Sequence, residues 1–369
     1  MSTFKPTKLS AGQKAAILQH GGLTGVINGK TGLSLLRYSE AEIVVVIDEE
    51  NAGRSLREIT GIPLAKEIPI VASTHEALQF QPDVLAIGVA FSGGQLPEAW
   101  LGAIREAVRH GVCIQNGLHT RLNEDPVIRS LLRPSQWVWD MRHEPPNLPI
   151  GTGAARQLAC KRVLFVGTDM NVGKMTAALE LNRAASERGL RSKFIATGQT
   201  GMMIAGDGVA LDGVRVDYAS GAIEQQMMLF GPSHDILFIE GQGSLINPAS
   251  TATLPLIRGS QPTHLILVHK AGMTHLKRFP HVKVPPLSEV VKLNEAVARG
   301  AGAFEAARVT GIALNGWGFS DREIEAEIRS IEEETGLPCC DVVRSGGGKL
   351  LETIDAAALC KMADRGQIT

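Results

Sequence analysis

Short runs of aliphatic and β-branched residues recur along the chain, and segments with apolar residues at helical spacing lie between them. In the first half the runs are Glu42 to Ile47 (EIVVVI), Ile68 to Val71 and Val84 to Val89 (VLAIGV), with a weaker one at Cys113-Ile114. Each has the length and composition of a buried strand. Between the last two, Glu98 to His110 has the spacing of a helix, which Gly111 ends. This alternation predicts a parallel sheet covered by helices on both faces.

A second alternation begins after a stretch rich in proline and glycine, Arg142 to Gly153 (RHEPPNLPIGTG), which we interpret as a linker. The predicted strands of this half are Arg162 to Val166, Ser192 to Thr197, Asp235 to Ile239, Thr263 to His269 and Val309 to Leu314. The predicted helices are Met175 to Arg188, Leu287 to Gly300, Asp321 to Thr335 and Leu350 to Asp364. The fold class is therefore α/β with two domains, residues 1–150 and 151–369, each built on a parallel sheet.

The net charge of the chain is close to zero, so its function has to depend on local sites. The chain has 37 lysines and arginines against 38 aspartates and glutamates, so its net charge gives no general attraction to nucleic acid or to an anionic membrane. The first 14 residues lack the apolar core of a signal peptide, and no apolar run reaches the roughly 18 residues needed to cross a bilayer. We expect a cytoplasmic protein that binds neither nucleic acid nor a membrane.

The cysteines do not have the spacing of metal ligands. Cys339 and Cys340 are adjacent and precede the apolar residues Val342-Val343, whereas the others are scattered singly. We interpret the pair as small hydrophobic residues in a buried strand, the alternative being a catalytic thiol.

One glycine-containing loop carries the strongest chemical signal. Gly167 to Thr176 (GTDMNVGKMT) lies between a predicted strand and a predicted helix. In a P-loop, backbone N–H groups surround phosphates, a lysine neutralises their charge and the hydroxyl of the next residue holds magnesium. Gly173-Lys174 fit this pattern, and the strand-loop-helix context directs unpaired N–H groups at an anion. The loop therefore predicts a phosphate-bearing ligand, the alternative being a glycine-rich turn that binds nothing.

The loop departs from the standard pattern GxxxxGK[ST] at two positions. Gly167 stands one residue further upstream, and Met175 takes the place of the serine or threonine. A hydroxyl for magnesium is then missing unless Thr176, one position further on, supplies it.

The spacing GTDxxVGK resembles dethiobiotin synthetase, whose loop has GTD and VGK in the same register. Glu240, in the segment EGQG after the strand Asp235 to Ile239, resembles the carboxylate that coordinates magnesium in that family. Glu240 is thus a candidate metal ligand if the protein binds a magnesium nucleotide, the alternative being a helix cap. Where those enzymes carry a second lysine, Ile195 to Gly201 (IATGQTG) has no cation. Because phosphoryl transfer depends on such cations, we expect the loop to bind phosphates without cleaving them.

Further segments resemble a bacterial family first known only as a domain of unknown function. Besides the loop and the Glu240 segment, they are Pro82 to Trp100, Val268 to His275 (VHKAGMTH), Pro285 to Val290 and Leu337 to Arg344 (LPCCDVVR), so the resemblance spans nearly the whole chain. Members of that family pair a Rossmann-like N-terminal half with a P-loop half similar to dethiobiotin synthetase. Characterised members are D-glutamate N-acetyltransferases, which transfer the acetyl group of acetyl-CoA to a D-amino acid.

The resemblance implies acetyl-CoA as co-substrate and D-glutamate, or another amino acid, as acceptor. CoA carries a pyrophosphate and a 3′-phosphate, which a phosphate loop without a magnesium hydroxyl could hold uncleaved. The residues predicted to bind it are Gly167, Thr168, Asn171, Val172, Gly173, Lys174, Met175 and Thr176. This hypothesis loses support if saturating CoA changes neither the melting nor the proteolysis of the wild type and of a Lys174→Ala variant.

Acetyl transfer to glutamate requires cations for two acceptor carboxylates and a group that receives the amine proton. The loop after the strand Thr263 to His269 supplies a concentration of basic residues, at an edge of the sheet where ligands bind in parallel folds. We predict that Lys270 and Arg278 bind the acceptor, the alternative being a solvated loop. His269 is a candidate general base, the alternative being a histidine of the core.

Two carboxylates are further catalytic candidates. Asp169 lies inside the phosphate loop, and Asp217 lies in Val214 to Glu224, ahead of a predicted helix. Either could receive the amine proton or orient the base, whereas in a dethiobiotin-type enzyme they would bind magnesium. For Asp217, the alternative is a helix N-cap.

Two other functions remain open at this point. One is an ATP- and magnesium-dependent ligase or phosphotransferase of the dethiobiotin synthetase type, and the other is a nucleotide-binding module without catalysis. We also expect a homo-oligomer, of a size that the sequence does not fix.

Overall fold

The computed structural model describes residues 9, 11–25, 28–91 and 94–354. Its strands are β1 (Lys14–Leu18), β2 (Glu42–Ile47), β3 (Ile70–Val71), β4 (Val84–Ile87), β5 (Cys113–Asn116), β6 (Val138–Asp140), β7 (Lys161–Gly167), β8 (Ser192–Ile195), β9 (Ile236–Ile239), β10 (His264–Lys270), β11 (Arg308–Asn315) and β12 (Cys339–Cys340). Its helices are α1 (Lys30–Tyr38), α2 (Leu56–Thr60), α3 (Thr74–Ala77), α4 (Glu98–Arg109), α5 (Pro126–Leu131), α6 (Lys174–Glu187), α7 (Gln199–Ala205), α8 (Val216–Phe230), α9 (Thr253–Ser260), α10 (Leu287–Arg299), α11 (Asp321–Thr335) and α12 (Val342–Ser345).

The first sheet has the strand order β3-β2-β1-β4-β5-β6, and its strands pair in parallel. This is the order 3-2-1-4-5-6 of doubly wound, dinucleotide-binding sheets. The inner strands are apolar because helices cover both faces, and β4 is buried along its whole length. Neither β1 (KAAIL) nor β6 (VWD) was predicted, since the first contains two alanines and the second has only three residues.

The second sheet has the order β12-β11-β10-β7-β9-β8 and is also parallel. β7 lies between β10 and β9, so the loop that follows it is flanked by the ends of two buried strands. The predicted α/β class with two parallel sheets is therefore confirmed. β12 contains Cys339 and Cys340, and burial raises the pKa of both thiols, that of Cys339 to about 12. Both are protonated at neutral pH, as expected for residues of a buried strand.

The chain forms two compact units. One comprises residues 1–144 and 199–213, and the other comprises residues 145–198 and 214–369. The stretch 199–213, which contains α7, is thus part of the first unit although the chain on either side of it belongs to the second. Thr200 Oγ1 lies 2.8 Å from Thr31 Oγ1 in a buried position, and Asp212 pairs with Arg142 at 2.9 Å.

Local signals fix several helix ends. Ser320 and Glu323 form a reciprocal capping box at the start of α11, and Gly336 ends that helix with a φ of 67°. α8 begins at Val216, so Asp217 lies inside its first turn and not ahead of it, and no side chain caps this helix. The chain is helical at 348–354, and the remainder of the predicted helix Leu350 to Asp364 lies outside the described residues.

A buried arginine joins β7 to the end of α9. Arg162 is 1% exposed. Its Nε donates hydrogen bonds to the carbonyls of Ser260 and Gln261, and its Nη1 donates to those of Leu158 and Cys160, at 2.9–3.1 Å. The guanidinium thus satisfies carbonyls at a helix end that would otherwise be buried without donors.

No helix in the described part of the chain has the length and apolar character required to cross a membrane.

Candidate active site

The phosphate loop lies where the sequence predicts it, between β7 and α6. Thr168 N donates to the carbonyl of Val268, which extends the pairing of β7 with β10 into the loop. The chain then turns through Asn171 and Gly173, whose φ values are 58° and 114°. Both lie in the left-handed region, which favours glycine and tolerates asparagine. α6 starts immediately afterwards at Lys174, so its N-terminus adjoins the loop.

The lysine of the loop is folded back over the end of β7. Lys174 is 6% exposed, and its Nζ donates a hydrogen bond of 2.7 Å to the carbonyl of Asp169. A Cβ on Gly167 would lie 3.0 Å from that Nζ, and one on Gly241 would lie 2.9 Å from Lys174 Cδ. A side chain at Gly241 is excluded, because its Cβ would also lie 1.6 Å from the carbonyl oxygen of Phe165, whereas one at Gly167 would crowd the lysine.

The loop presents backbone donors. None of the described residues accepts a hydrogen bond from the N–H of Asn171, Val172 or Gly173. Together with the positive end of the α6 dipole, such groups form a site for an anion, and the adjoining ammonium of Lys174 adds a full charge.

The residue after the loop lysine, which in a standard P-loop supplies the hydroxyl that binds magnesium, is apolar in this protein. Met175 is 2% exposed, in the buried face of α6, and a thioether is a poor ligand for a hard cation. Thr176 is half-buried at the next position.

Glu240 follows β9 and lies beside the loop that follows β8. Its Oε2 accepts hydrogen bonds from Thr197 N at 3.0 Å and Gly198 N at 3.1 Å, and the side chain is buried. The carboxylate thereby joins the ends of two neighbouring strands. Among the described residues, no group of three or more histidines, cysteines, aspartates and glutamates is placed to hold a metal ion.

Asp169 connects three loops at the carboxyl edge of the sheet. Its Oδ1 accepts from Met170 N at 2.7 Å and from Asn247 Nδ2 at 2.6 Å, and its Oδ2 accepts from Lys277 N at 3.1 Å. Since the side chain is 3% exposed, this carboxylate holds the loops after β9 and β10 against the phosphate loop.

His269 is inside the protein and next to the phosphate loop. Its Nδ1 lies 2.9 Å from Thr168 Oγ1, and the residue is 5% exposed. Burial lowers the pKa of His269 to about 4, which the charge of Glu334 opposes only in part. The imidazole is therefore neutral at pH 7, with its δ-nitrogen engaged by the loop threonine.

The basic loop, residues 270–284, is ordered by its own backbone. Leu276 N donates to the carbonyl of Val282 at 3.0 Å, and Val284 N donates to that of Thr274 at 2.9 Å, while Leu276 is buried. Lys277 and Arg278 at its turn are exposed, and Lys270 is half-buried. No carboxylate of the described residues pairs with these three cations. Because Lys277 N contacts Asp169, this uncompensated positive charge adjoins the phosphate loop.

Asp217 is exposed in the first turn of α8. It makes no hydrogen bond or ion pair with another described residue, so the contacts do not bring it together with the loop.

Two asparagines of the site were not predicted. Asn247 donates to Asp169, and Asn315, the last residue of β11, donates from Nδ2 to the carbonyl of Val172 at 2.9 Å. The available signal for Asn315 was its position directly after the apolar run Val309 to Leu314, at the edge where parallel sheets bind ligands.

Comparisons with known proteins agree with this architecture. The profile of a domain of unknown function, the DUF1611_C P-loop domain, matches residues 149–351, and that of the DUF1611_N Rossmann-like domain matches residues 49–144. A crystal structure of a DUF1611 family protein from Anabaena variabilis is 56% identical and superposes with a TM-score of 0.89, covering 93% of this chain and 99% of that one.

Two relatives carry the name D-glutamate N-acetyltransferase. The one from Tritonibacter scottomollicae is 36% identical over 284 residues, which cover 76% of this chain and 84% of the relative. The one from a Pseudoalteromonas species is 36% identical over 277 residues, which cover 74% and 82%. With the strand orders, the loop geometry and these matches together, the chain belongs to the DUF1611 family, whose members join a Rossmann-like domain to a P-loop domain.

Proposed function

We propose that this protein is an N-acetyltransferase that transfers the acetyl group of acetyl-CoA to the α-amine of D-glutamate. The name of the two relatives suggests the reaction and the acceptor. The observation that carries the proposal is a phosphate loop in which backbone donors and Lys174 are in place while Met175 is buried at the hydroxyl position.

The loop fits the phosphates of CoA. The N–H groups of Asn171 to Gly173 have no acceptor among the described residues and directly precede Lys174, and Gly167 and Gly241 place no side chain beside the lysine. These contacts need no metal ion, because the donors are backbone amides and one ammonium. The residues proposed to hold acetyl-CoA therefore bind its phosphates. They do not supply the magnesium-binding hydroxyl that phosphoryl transfer uses.

The acceptor would be held by the basic loop. D-Glutamate carries two carboxylates, and Lys270 and Arg278 are cations without a carboxylate partner among the described residues. Asp169 fixes this loop against the donor site through Lys277 N. In this proposal Asp169 and His269 position the loops, because three donors already engage the carboxylate and His269 is 5% exposed.

The transfer forms a bond between the acceptor nitrogen and the acetyl carbon and breaks the bond between that carbon and sulfur. The amine reacts in its neutral form, loses one proton, and the thiolate that leaves takes up one proton to become CoA. The rate is therefore expected to rise with pH as the acceptor amine loses its proton.

A direct assay distinguishes this function from the alternatives. Purified protein is incubated with acetyl-CoA and D-glutamate, and released thiol and N-acetylglutamate are measured, with L-glutamate and D-alanine as competing acceptors. The proposal predicts thiol release that requires D-glutamate, and its loss in Lys174→Ala but not in Lys292→Ala, a change on the exposed face of α10. Phosphate release from ATP and magnesium, without thiol release, would instead favour an ATP- and magnesium-dependent enzyme of the dethiobiotin type. Nucleotide binding with neither activity would establish a binding module.

A further inference from the structure

Trp317 is an exposed aromatic residue beside the phosphate loop. Its relative exposure is 66%, among the highest of the large apolar side chains in the described part of the chain. An indole has a large, rigid aromatic face on which a planar ring can stack.

The loop that carries Trp317 is attached to the phosphate loop. Asn315 Nδ2 donates to the carbonyl of Val172 at 2.9 Å, and the same side chain accepts from Trp317 N at 3.1 Å. A Cβ on Gly173 would lie 3.3 Å from Asn315 Nδ2. One side chain thus links the indole-bearing residue to the turn of the phosphate loop.

The residues around Trp317 are held in place. Gly316 N donates to Asp341 Oδ2 at 3.1 Å, and Arg344 Nη2 donates to the carbonyls of Gly316 and Phe319 at 3.1 and 2.6 Å. Asp341 is buried. Because the backbone is fixed on both sides, binding a ligand to the indole would require little ordering of the loop.

We propose that the indole of Trp317 is the platform on which the adenine of the bound ligand stacks. The inference rests on the proposed function in one respect, namely that the ligand of the phosphate loop is an adenosine phosphate such as CoA. A nucleoside diphosphate places its base one ribose away from the phosphates, and Trp317 lies two residues beyond Asn315, which touches the loop. Stacking of a base on an aromatic ring favours binding and does not depend on the reaction that follows.

The test compares ligands with and without the base. Dissociation constants of CoA, ADP and 4′-phosphopantetheine are measured by calorimetry for the wild type, Trp317→Ala, Trp317→Phe and Ile150→Ala. Ile150 is a matched control because it is 64% exposed and apolar. We expect Trp317→Ala to weaken CoA and ADP by about 5- to 100-fold, leave 4′-phosphopantetheine unchanged and melt like the wild type. Trp317→Phe should retain most of the affinity, and Ile150→Ala all of it.

The outcomes separate this inference from the proposed function. If Trp317→Ala binds CoA as the wild type does, or loses all three ligands equally, the platform is excluded and the acetyltransferase proposal is unaffected. The platform is also excluded if Trp317→Ala changes only the oligomeric state. If the wild type binds ADP more tightly than Trp317→Ala does, while neither protein binds CoA, the platform is supported and acetyl-CoA is excluded as the acetyl donor. Failure of the wild type to bind either ligand contradicts both.

Discussion

Thr168 Oγ1 and His269 Nδ1 share a hydrogen bond of 2.9 Å that joins the start of the phosphate loop to the end of β10. Both residues are buried, so the imidazole has no access to water that would stabilise its charged form. Burial accordingly lowers the pKa of His269 to about 4 from its usual 6.5.

This histidine should make stability depend on pH. Because the folded pKa lies below the unfolded one, the unfolded chain binds the additional proton between pH 6.5 and about 4. Stability is fully retained above pH 6.5 and decreases toward pH 4, by up to about 3 kcal/mol from this group. Urea unfolding of the wild type and of His269→Gln across this range measures the effect. The variant should show a weaker pH dependence, whereas His281→Gln, at an exposed site, should match the wild type. Equal slopes in all three proteins would contradict a buried neutral imidazole.

Asp169→Asn should loosen the site and lower stability. An amide in this position directs its NH₂ group at one or two of the three donors that now bind the carboxylate, depending on its orientation. We expect a loss of about 1–3 kcal/mol in unfolding free energy and a higher KM for the acceptor, because the basic loop loses its attachment. Asp217→Asn is the stability control, since Asp217 is exposed and should change stability by less than about 0.5 kcal/mol. Full stability of Asp169→Asn would refute the role of Asp169 in joining the loops.

Acetyl transfer should not require a divalent cation. Met175 places a buried thioether where a magnesium hydroxyl would stand, and Glu240 already accepts two backbone hydrogen bonds. Thiol release in the presence of excess EDTA should therefore equal that in the presence of magnesium. A loss of activity in EDTA that magnesium restores would instead support a magnesium-dependent enzyme in which Glu240 coordinates the metal ion.

Arg162→Met should destabilise the P-loop unit without touching the site. The substitution leaves four backbone carbonyls without their donor in a position that is 1% exposed. The expected cost is at least about 3 kcal/mol in chemical denaturation. Arg191→Met, which breaks only the exposed pair with Asp235, should change the denaturation midpoint far less, because water screens that pair. Similar values for the two variants would mean that the buried guanidinium is not needed.

The four inner strands of the second sheet, β11, β10, β7 and β9, were predictable because each is an apolar run bounded by turn residues, as in Val309 to Leu314. Two strands of the first sheet, β1 and β6, could not be predicted. β1 contains alanine where a strand signal needs β-branched residues, and β6 is three residues long. The placement of 199–213 with the first unit could not be predicted either, because it depends on contacts such as that of Thr200 with Thr31, 169 residues apart.

For the site, the sequence predicted the phosphate loop because its spacing and its place between strand and helix are local features. The roles of its neighbours depend on contacts between distant segments. Asp169 meets Lys277 across 108 residues, and Asn315 meets Val172 across 143. Such pairs follow from the strand order, which places the ends of β7, β9, β10 and β11 along one edge, and no pattern within a segment encodes them.

The ligand of the phosphate loop can be identified by solving the structure of the protein with CoA bound. We expect the phosphates of CoA against the N–H groups of Asn171 to Gly173 and Lys174 Nζ, with the thiol directed toward Lys270 and Arg278. CoA bound elsewhere, with the residues from Gly167 to Thr176 making no contact to it, would refute a CoA-binding phosphate loop.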